Sequence, residues 1–344
     1  MNDGTPHAAP RAGRHDELTG LGLTGPGLTG PGLTGLGLTG LELTGPGPGE
    51  LAALAALAAR CQRDPRRHCA YTGDDAATIA AEVADVHNWE HLVVARVASD
   101  ADGASSAIGW LLADIDHEVD RVWWWGPFVD DGHDCSAVAD ALYRHARGRL
   151  RTDGDETAGE EMAADRRSDL FAELAARHGF TAEEGSACLV VHPPTSVGPG
   201  STASSPDVTV EPLRPEHHAS VAALHDELFP GTHLTGHGLV TADSDRLVRR
   251  VAVLGDRVVG YVATEVQHDG SLYIDFVGVA ADVAGRGIGR ALVVEACREG
   301  FERGATFAHL TVRTSNAVAL GLYRSLGFDE ERVLVPYRLG LRLK

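Results

Sequence analysis

Lysine occurs once in the chain, at Lys344. With no interior lysine, neither a Schiff base nor the lysine of a phosphate-binding loop is available. The five cysteines, Cys61, Cys69, Cys135, Cys188 and Cys297, are odd in number and widely spaced. That spacing disfavours both a disulfide framework and a zinc site, so no metal is expected. No apolar run approaches the ~18 residues that a membrane helix needs. The first residues also lack the basic segment, apolar core and cleavage site of a secretory signal. A soluble, cytoplasmic protein without a membrane partner is therefore expected. Basic charge is scarce as well: 30 basic against 49 acidic residues leave a formal charge of -19. Such a surface repels phosphate backbones, which argues against nucleic-acid binding, and it draws in small cationic partners.

Residues 18–47 repeat the five-residue unit "LTGPG" with small variations. Gly-, Pro- and Thr-rich repetition buries too little apolar surface to offset chain entropy. Residues 1–49 are predicted to be a disordered tail. A second shift in composition, "PPTSVGPGSTASSPD" at 193–207, predicts a flexible linker. The folded material then falls into residues 50–192 and 208–344.

In the second block, "VTVEPL" (208–213) is predicted as a strand, and Pro215 opens a helix that runs to about Leu228. "RLVRRVAVLGDRVVGYVATEV" (246–266) predicts two strands about a Gly-Asp turn, with a third at 271–279. Next comes the stretch "AGRGIGRAL" (284–292). It opens a helix whose apolar residues form two rows, Ile288, Leu292 and Ala296 beside Val293, Cys297 and Phe301. A strand at 306–312, a helix at 316–328 and a strand at 332–339 complete the order. The pattern predicts an α/β (α+β) fold with helices on a mixed sheet.

Three alternate glycines between a strand and a helix admit several readings, from a flexible or tight corner to an anion site. The setting favours the anion, because first-turn amides lack intrahelical partners and the helix dipole favours negative charge. Glycines leave the backbone accessible to a phosphate, and Arg286 and Arg290 add positive charge at the same end. Further along, "NAVALGLYRSLGF" (316–328) places a tyrosine five residues before the phenylalanine of a helix-ending Gly-Phe. Together with "VGVAADVAGRGIGRAL" (277–292), this segment resembles the two signature segments of the GNAT acyltransferase superfamily, over about 130 residues with all elements in order.

The resemblance implies acetyl-CoA as co-substrate. Its pyrophosphate would lie on Ala284, Gly285, Arg286, Gly287, Ile288, Gly289 and Arg290, and its pantetheine arm along Phe276, Val277, Gly278 and Val279. Asn316 falls at a CoA-contacting asparagine. An amine would attack the thioester directly, and Tyr323 would protonate the departing thiolate. A phenol of pKa near ~10 can supply a proton to a thiolate whose acid lies near ~8.5. The family often carries Arg or Gln where this chain has Ala284, which implies weaker CoA binding. For the general base, the strand carboxylates Asp275 and Glu265 and a water chain are all open. Phe229, Thr232 and His233 lie where the resembled fold borders its acceptor. His233 and His237 have helical i, i+4 spacing, but Pro230, Gly231, Thr235 and Gly236 spoil a helix there, so they predict no metal site.

The first block reads as a faded copy. Aligning Gly179-Phe180 on Gly327-Phe328 gives an offset of 148 residues that also lays Phe128-Val129 on Phe276-Val277. Ala175 then replaces Tyr323 and Ser168 replaces Asn316. Asp130, Asp131 and Asp134 stand where a pyrophosphate would bind, and "VWWWGPF" (122–128) reads as sheet core. The expectation is a tandem GNAT protein whose C-terminal copy acetylates a small-molecule primary amine. A mycothiol-synthase-like acetyltransferase and a non-catalytic acyl-CoA-binding module are the alternatives.

Overall fold

The computed structural model describes residues 40–86, 89–98, 105–117, 120–155, 157–193, 207–232, 234–267 and 269–340. Residues 194–206 of the predicted linker (193–207), His233 and residues 1–39 of the predicted tail lie outside the described residues. The chain divides into two compact units. One takes the residues up to Glu184 and again those from Leu334 on; the other takes Gly185–Val333.

The N-terminal unit contains β1 (Leu41–Thr44), α1 (Leu51–Gln62), α2 (Ala76–Asp85), β2 (Leu92–Ala98), β3 (Ser105–Asp116) and β4 (Arg121–Val129). It continues with α3 (Cys135–Asp153), β5 (Gly159–Asp165), α4 (Asp169–His178) and the short β6 (Thr181–Ala182). Its helices start where side chains satisfy first-turn amides: Asp75 accepts from Ala77 and Thr78, and Asp134 from Ala137. α3 and α4 end on Gly154 and Gly179, both at positive φ, which glycine adopts without strain. On α1, Leu54, Leu57, Ala58 and Cys61 fall on one face and are buried. The Trp110 indole N–H donates to Leu54 O at 2.9 Å, which ties that helix to the sheet. Trp124 and Phe128 have no exposed surface, so the aromatic run is sheet core as expected.

The C-terminal unit contains β7 (Ser186–Val191), β8 (Val208–Pro212), α5 (His218–Leu228), α6 (Gly236–Thr241), β9 (Leu247–Leu254), β10 (Arg257–Val266) and β11 (Leu272–Val279). It ends with α7 (Ile288–Glu302), β12 (Ala308–Arg313), α8 (Ala317–Ser325) and the start of β13 (Asp329–Leu339). Within this unit the strand order is β8-β9-β10-β11-β12-β7, antiparallel except for β11 against β12. One sheet face is covered by α7 and α8 and packs Leu272, Ile274, Leu292, Val293 and Leu310. The other face, over β9–β11, carries α5 and α6 with Val221, Leu239, Tyr261 and Phe276.

Three expectations are corrected. Residues 41–44 are a strand, not part of a disordered tail, because Leu41 and Leu43 bury against the sheet while the backbone pairs with β2. α6 forms despite its glycines, since Thr235 Oγ1 accepts from the Gly238 amide at 3.1 Å and Leu239 and Val240 are buried. The domain boundaries at 192 and 208 also move. β7 lies in the C-terminal unit, paired with β12 from Ala308↔Val191 to Arg313↔Ser186. β13 from Leu334 on lies in the N-terminal unit, paired with β5. Ala187, Leu189 and Val191 bury in one core, and Leu334 and Tyr337 in the other. Each unit is thus completed by a strand from the sequence block that otherwise builds the other unit.

Candidate active site

β11 and β12 stay in parallel register for two pairs only, Leu272↔Ala308 and Tyr273↔His309. Among the described residues no further register pair joins the two strands. The β10–β11 register breaks at the same level: Ala263 faces Phe276 while Thr264 faces Ile274, so Asp275 is the extra residue of a β-bulge. Ile274, Val277 and Val279 pack on the α7–α8 side, whereas Phe276 packs on the α5–α6 side. The bulge therefore places Asp275 and Phe276 on one face. The Asp275 charge reaches Tyr261 and Tyr273 there; burial raises both phenol pKa values, and that charge raises them further.

The chain leaves β11 through a turn at 281–283 and enters α7 at a corner where Gly285 has φ +78° and Gly287 φ +76°. Both angles lie in the left-handed region that only glycine adopts freely, so a tight corner is built here. No side chain caps α7, and its first turn holds no acidic residue. The first ladder bond runs from the Ala291 amide to Gly287 O at 3.0 Å, so the amides of Gly287, Ile288 and Gly289 precede it. Around Gly285 a Cβ would meet nothing within 4 Å. This corner fits an anion, and the residues present fit the diphosphate of an acyl-CoA.

Several residues named from sequence have structural duties as well. Ile288 is buried, so only its backbone faces the corner. Gly278 is required by packing, because a Cβ would stand 2.5 Å from Tyr261 Cε1. The Arg290 guanidinium donates to Ser325 Oγ at 2.8 Å, bracing α7 on α8. Arg286 and Ala284 are exposed beside the corner. Asn316 caps α8, its Oδ1 accepting from the Ala319 amide at 3.1 Å.

Tyr323 projects from α8 into the core, 8% exposed, with its ring edge-on to Phe328 at 5.6 Å. Burial, then the neighbouring Cys297, hold its phenol well above the usual tyrosine range. Cys297 is itself pushed up to about 12 by burial and is no thiolate nucleophile.

On the expected acceptor side, Glu265 forms an ion pair with Arg246 at 2.8 Å, which occupies it electrostatically. Phe229 stacks edge-on to Phe276 at 5.1 Å. Thr232 Oγ1 lies 3.1 Å from both Phe229 O and Leu234 O and braces the turn after α5. His225, unassigned from sequence, is fully buried: its Nε2–H donates to Leu234 O at 2.9 Å, which leaves Nδ1 to accept from Tyr261 at 2.7 Å.

In the N-terminal unit β4, α3, β5 and α4 follow the same order as β11, α7, β12 and α8. β4 and β5 pair in parallel from Arg121↔Gly159 to Trp123↔Glu161 and then part. The segment after α1 lies against β5 beyond that point: Cys69 bridges Ala164, and the Ala70 amide donates to Ala163 O at 2.9 Å. Ser168 Oγ donates to Arg66 O at 2.7 Å, and Arg67 donates to Val129 O at 3.1 Å. Here the helix corresponding to α7 is α3, and Asp134 caps it with a carboxylate.

A sequence profile described as the acetyltransferase (GNAT) family matches residues 218–328. Over 109 residues the chain is 32% identical to the ribosomal protein bS18-alanine N-acetyltransferase of Salmonella typhimurium, covering 32% of this chain and 71% of that protein. Over 81 residues it is 35% identical to the Escherichia coli K12 enzyme of the same name, covering 24% of this chain and 54% of that one. The chain belongs to the GNAT family of acetyltransferases. Among solved structures, a GCN5-related N-acetyltransferase from Sphaerobacter thermophilus superposes with a TM-score of 0.68 at 19% identity, covering 88% of this chain and 96% of that one. A tandem GNAT protein from the clavulanic acid biosynthesis pathway gives 0.56 at 14% identity, covering 74% and 83%. At such identities these two bear on the fold alone.

Proposed function

We propose that the chain is an acetyl-CoA-dependent N-acetyltransferase whose C-terminal unit transfers the acetyl group to a primary amine by direct attack. One observation carries this reading: the uncapped start of α7, with Gly285 and Gly287 both left-handed, stands beside the parting of β11 and β12 in the unit that also holds Tyr323. Amides at 287–289 would hold the diphosphate, and the backbone of Val277–Val279 the pantetheine arm. Bound acetyl-CoA supplies an acyl thioester. As the amine nitrogen forms its bond to the acyl carbon, the carbon–sulfur bond breaks. The amine loses a proton to Asp275, directly or through water, and the sulfur gains one from Tyr323. Alanine N-acetyltransferase, the activity in the names of the matched relatives, is compatible with this chemistry. The test is free-thiol release by the full chain over alkylamines, polyamines, aminoglycosides and peptides with free N-termini. Turnover with at least one class is expected. Tight CoA binding without thiol release across the panel would point instead to a binding module.

The same reading assigns one acyl-CoA to each chain, since in the N-terminal unit the segment at Cys69–Ala70 and the Asp134 cap occupy the equivalent places. Titration calorimetry with CoA is expected to give a stoichiometry near one. A value near two would place a second site in the N-terminal unit.

A further inference from the structure

His225 is a buried titratable group that the transfer chemistry does not use. It has no exposed surface and sits among Val221, Leu239, Val251 and Tyr261 on the α5–α6 side. A polar ring in such a layer needs a partner for each nitrogen, and the two partners come from different segments. Nε2–H donates at 2.9 Å to Leu234 O, on the segment that joins α5 to α6. Nδ1 accepts at 2.7 Å from Tyr261 Oη–H, on β10. A neutral imidazole donates through one nitrogen and accepts through the other, so a phenol donating at Nδ1 keeps the proton on Nε2. Tyr261 thereby holds the tautomer that the Leu234 carbonyl requires.

The segments joined in this way border the bulge at Asp275. The imidazole stands edge-on to Phe276 at 4.7 Å, and Phe229 meets the same phenyl ring at 5.1 Å. Phe276 follows Asp275 directly, and the bulge puts both on this face. The segment has braces of its own: Thr232 Oγ1 lies 3.1 Å from Leu234 O, and Asp226 Oδ1 accepts from the Gly236 amide at 2.7 Å. Those bonds hold the segment to itself and to α5. The bond from Tyr261 to His225 carries the link on to the sheet.

We infer that His225 is a positioning residue for the acceptor. Through Nε2–H it holds the α5–α6 segment, with Phe229, in a fixed place against the bulge at Asp275. Tyr261 acts through it, by holding the orientation and tautomer of the ring. This rests on the transferase reading above and adds to it the residue that sets the wall facing the amine.

The experiment compares His225→Asn with His225→Gln in the full chain, using the amine that the thiol-release panel shows to be turned over best. The Asn amide branches at Cγ, as Nδ1 does, so it can accept from Tyr261 but stops short of Leu234. The Gln amide lies one bond further out, level with Nε2, and can donate to Leu234 O. Both variants lose the ring and its packing on Phe276, so both should unfold at lower temperature, and a merely structural role would leave their kinetics alike. Positioning makes them differ. KM for the amine is expected to be five- to tenfold higher in His225→Asn than in His225→Gln, the share of one neutral hydrogen bond, with the same Kd for CoA in both. Tyr261→Phe, which leaves the imidazole in place, should raise KM twofold or more in the natural chain and add nothing to His225→Gln. Equal or reversed KM values in the two His225 variants, or an unchanged KM in Tyr261→Phe, would overturn the inference. Amide hydrogen exchange over residues 234–240 separates it from the transferase reading. Faster exchange in His225→Asn than in His225→Gln, with no thiol released from any amine by the natural chain, would sink the transferase and keep the positioning role. Normal turnover by the natural chain, with equal exchange and equal KM in the two variants, would do the reverse.

Discussion

Tyr323→Phe is expected to lower kcat about a hundredfold or more while leaving Kd for CoA unchanged, since positioned acid catalysis is worth roughly 10²–10⁴ in rate. The ring packs edge-on to Phe328 and keeps that contact as phenylalanine, so a fall in rate would report on the hydroxyl. Burial holds the phenol neutral well above pH 10. In bulk water a proton would pass uphill from such a phenol to a thiolate. The same desolvation opposes a bare thiolate, so the transfer is expected to accompany carbon–sulfur cleavage. Below about pH 10 the natural enzyme should show no fall in rate from ionisation of Tyr323. The linkage has the matching sign. Unfolded tyrosines ionise near ~10 while this one stays protonated, so its contribution to stability is complete below that pH and declines as pH climbs past it. Steady-state kinetics over pH 7–9 decide the matter: an unchanged kcat in the Phe variant removes Tyr323 from the mechanism.

The largest expected loss of stability comes from the N-terminal unit. Glu161 is wholly buried and accepts from Tyr71 Oη at 3.0 Å, Arg121 Nη1 at 3.2 Å and Arg338 Nε at 2.8 Å. Arg338 is 7% exposed and registers with Glu161 across β13 and β5. Glu161→Ala would remove the buried carboxylate that accepts from that guanidinium. Breaking such a pair from one side costs about 3–5 kcal/mol, a large share of the ~5–15 kcal/mol that holds a typical domain. Urea unfolding followed by tryptophan fluorescence is expected to show the midpoint falling accordingly, and Glu161→Gln, which keeps an acceptor oxygen, should fall less. A loss under about 1 kcal/mol would mean that the cluster is solvated and contributes little, as exposed pairs do.

What the sequence disclosed was local. The glycines of the α7 corner, the spacing of Tyr323 from Gly327-Phe328, and the Gly255-Asp256 hairpin are each fixed by backbone angles or helix geometry within a few residues. Their positions in the structure follow the reading closely. What it concealed was non-local. Nothing in "SACLVV" says that this strand pairs with β12 rather than within its own block, so Ser186 and Cys188 were invisible as neighbours of Arg313 and Thr311. The bulge at Asp275 depends on the register of β10, and the ion pair of Glu265 on Arg246 approaching from another segment. The N-terminal unit is half-legible: the acidic residues near α3 led to the expectation that no anion binds there, but the segment at Cys69–Ala70, which pairs with β5, carries no sequence mark of its destination.

The exchanged strands β7 and β13 bear on the order in which a ribosome delivers this molecule. The C-terminal unit has all its strands once the first residues of β13 emerge, because β7 was synthesised earlier. The N-terminal unit, whose other strands are translated first, keeps the edge of β5 open until Leu334–Leu339 appear, after the strands of the C-terminal unit. The half made first is therefore completed last, and a nascent chain stalled anywhere in between carries an exposed template for mispairing.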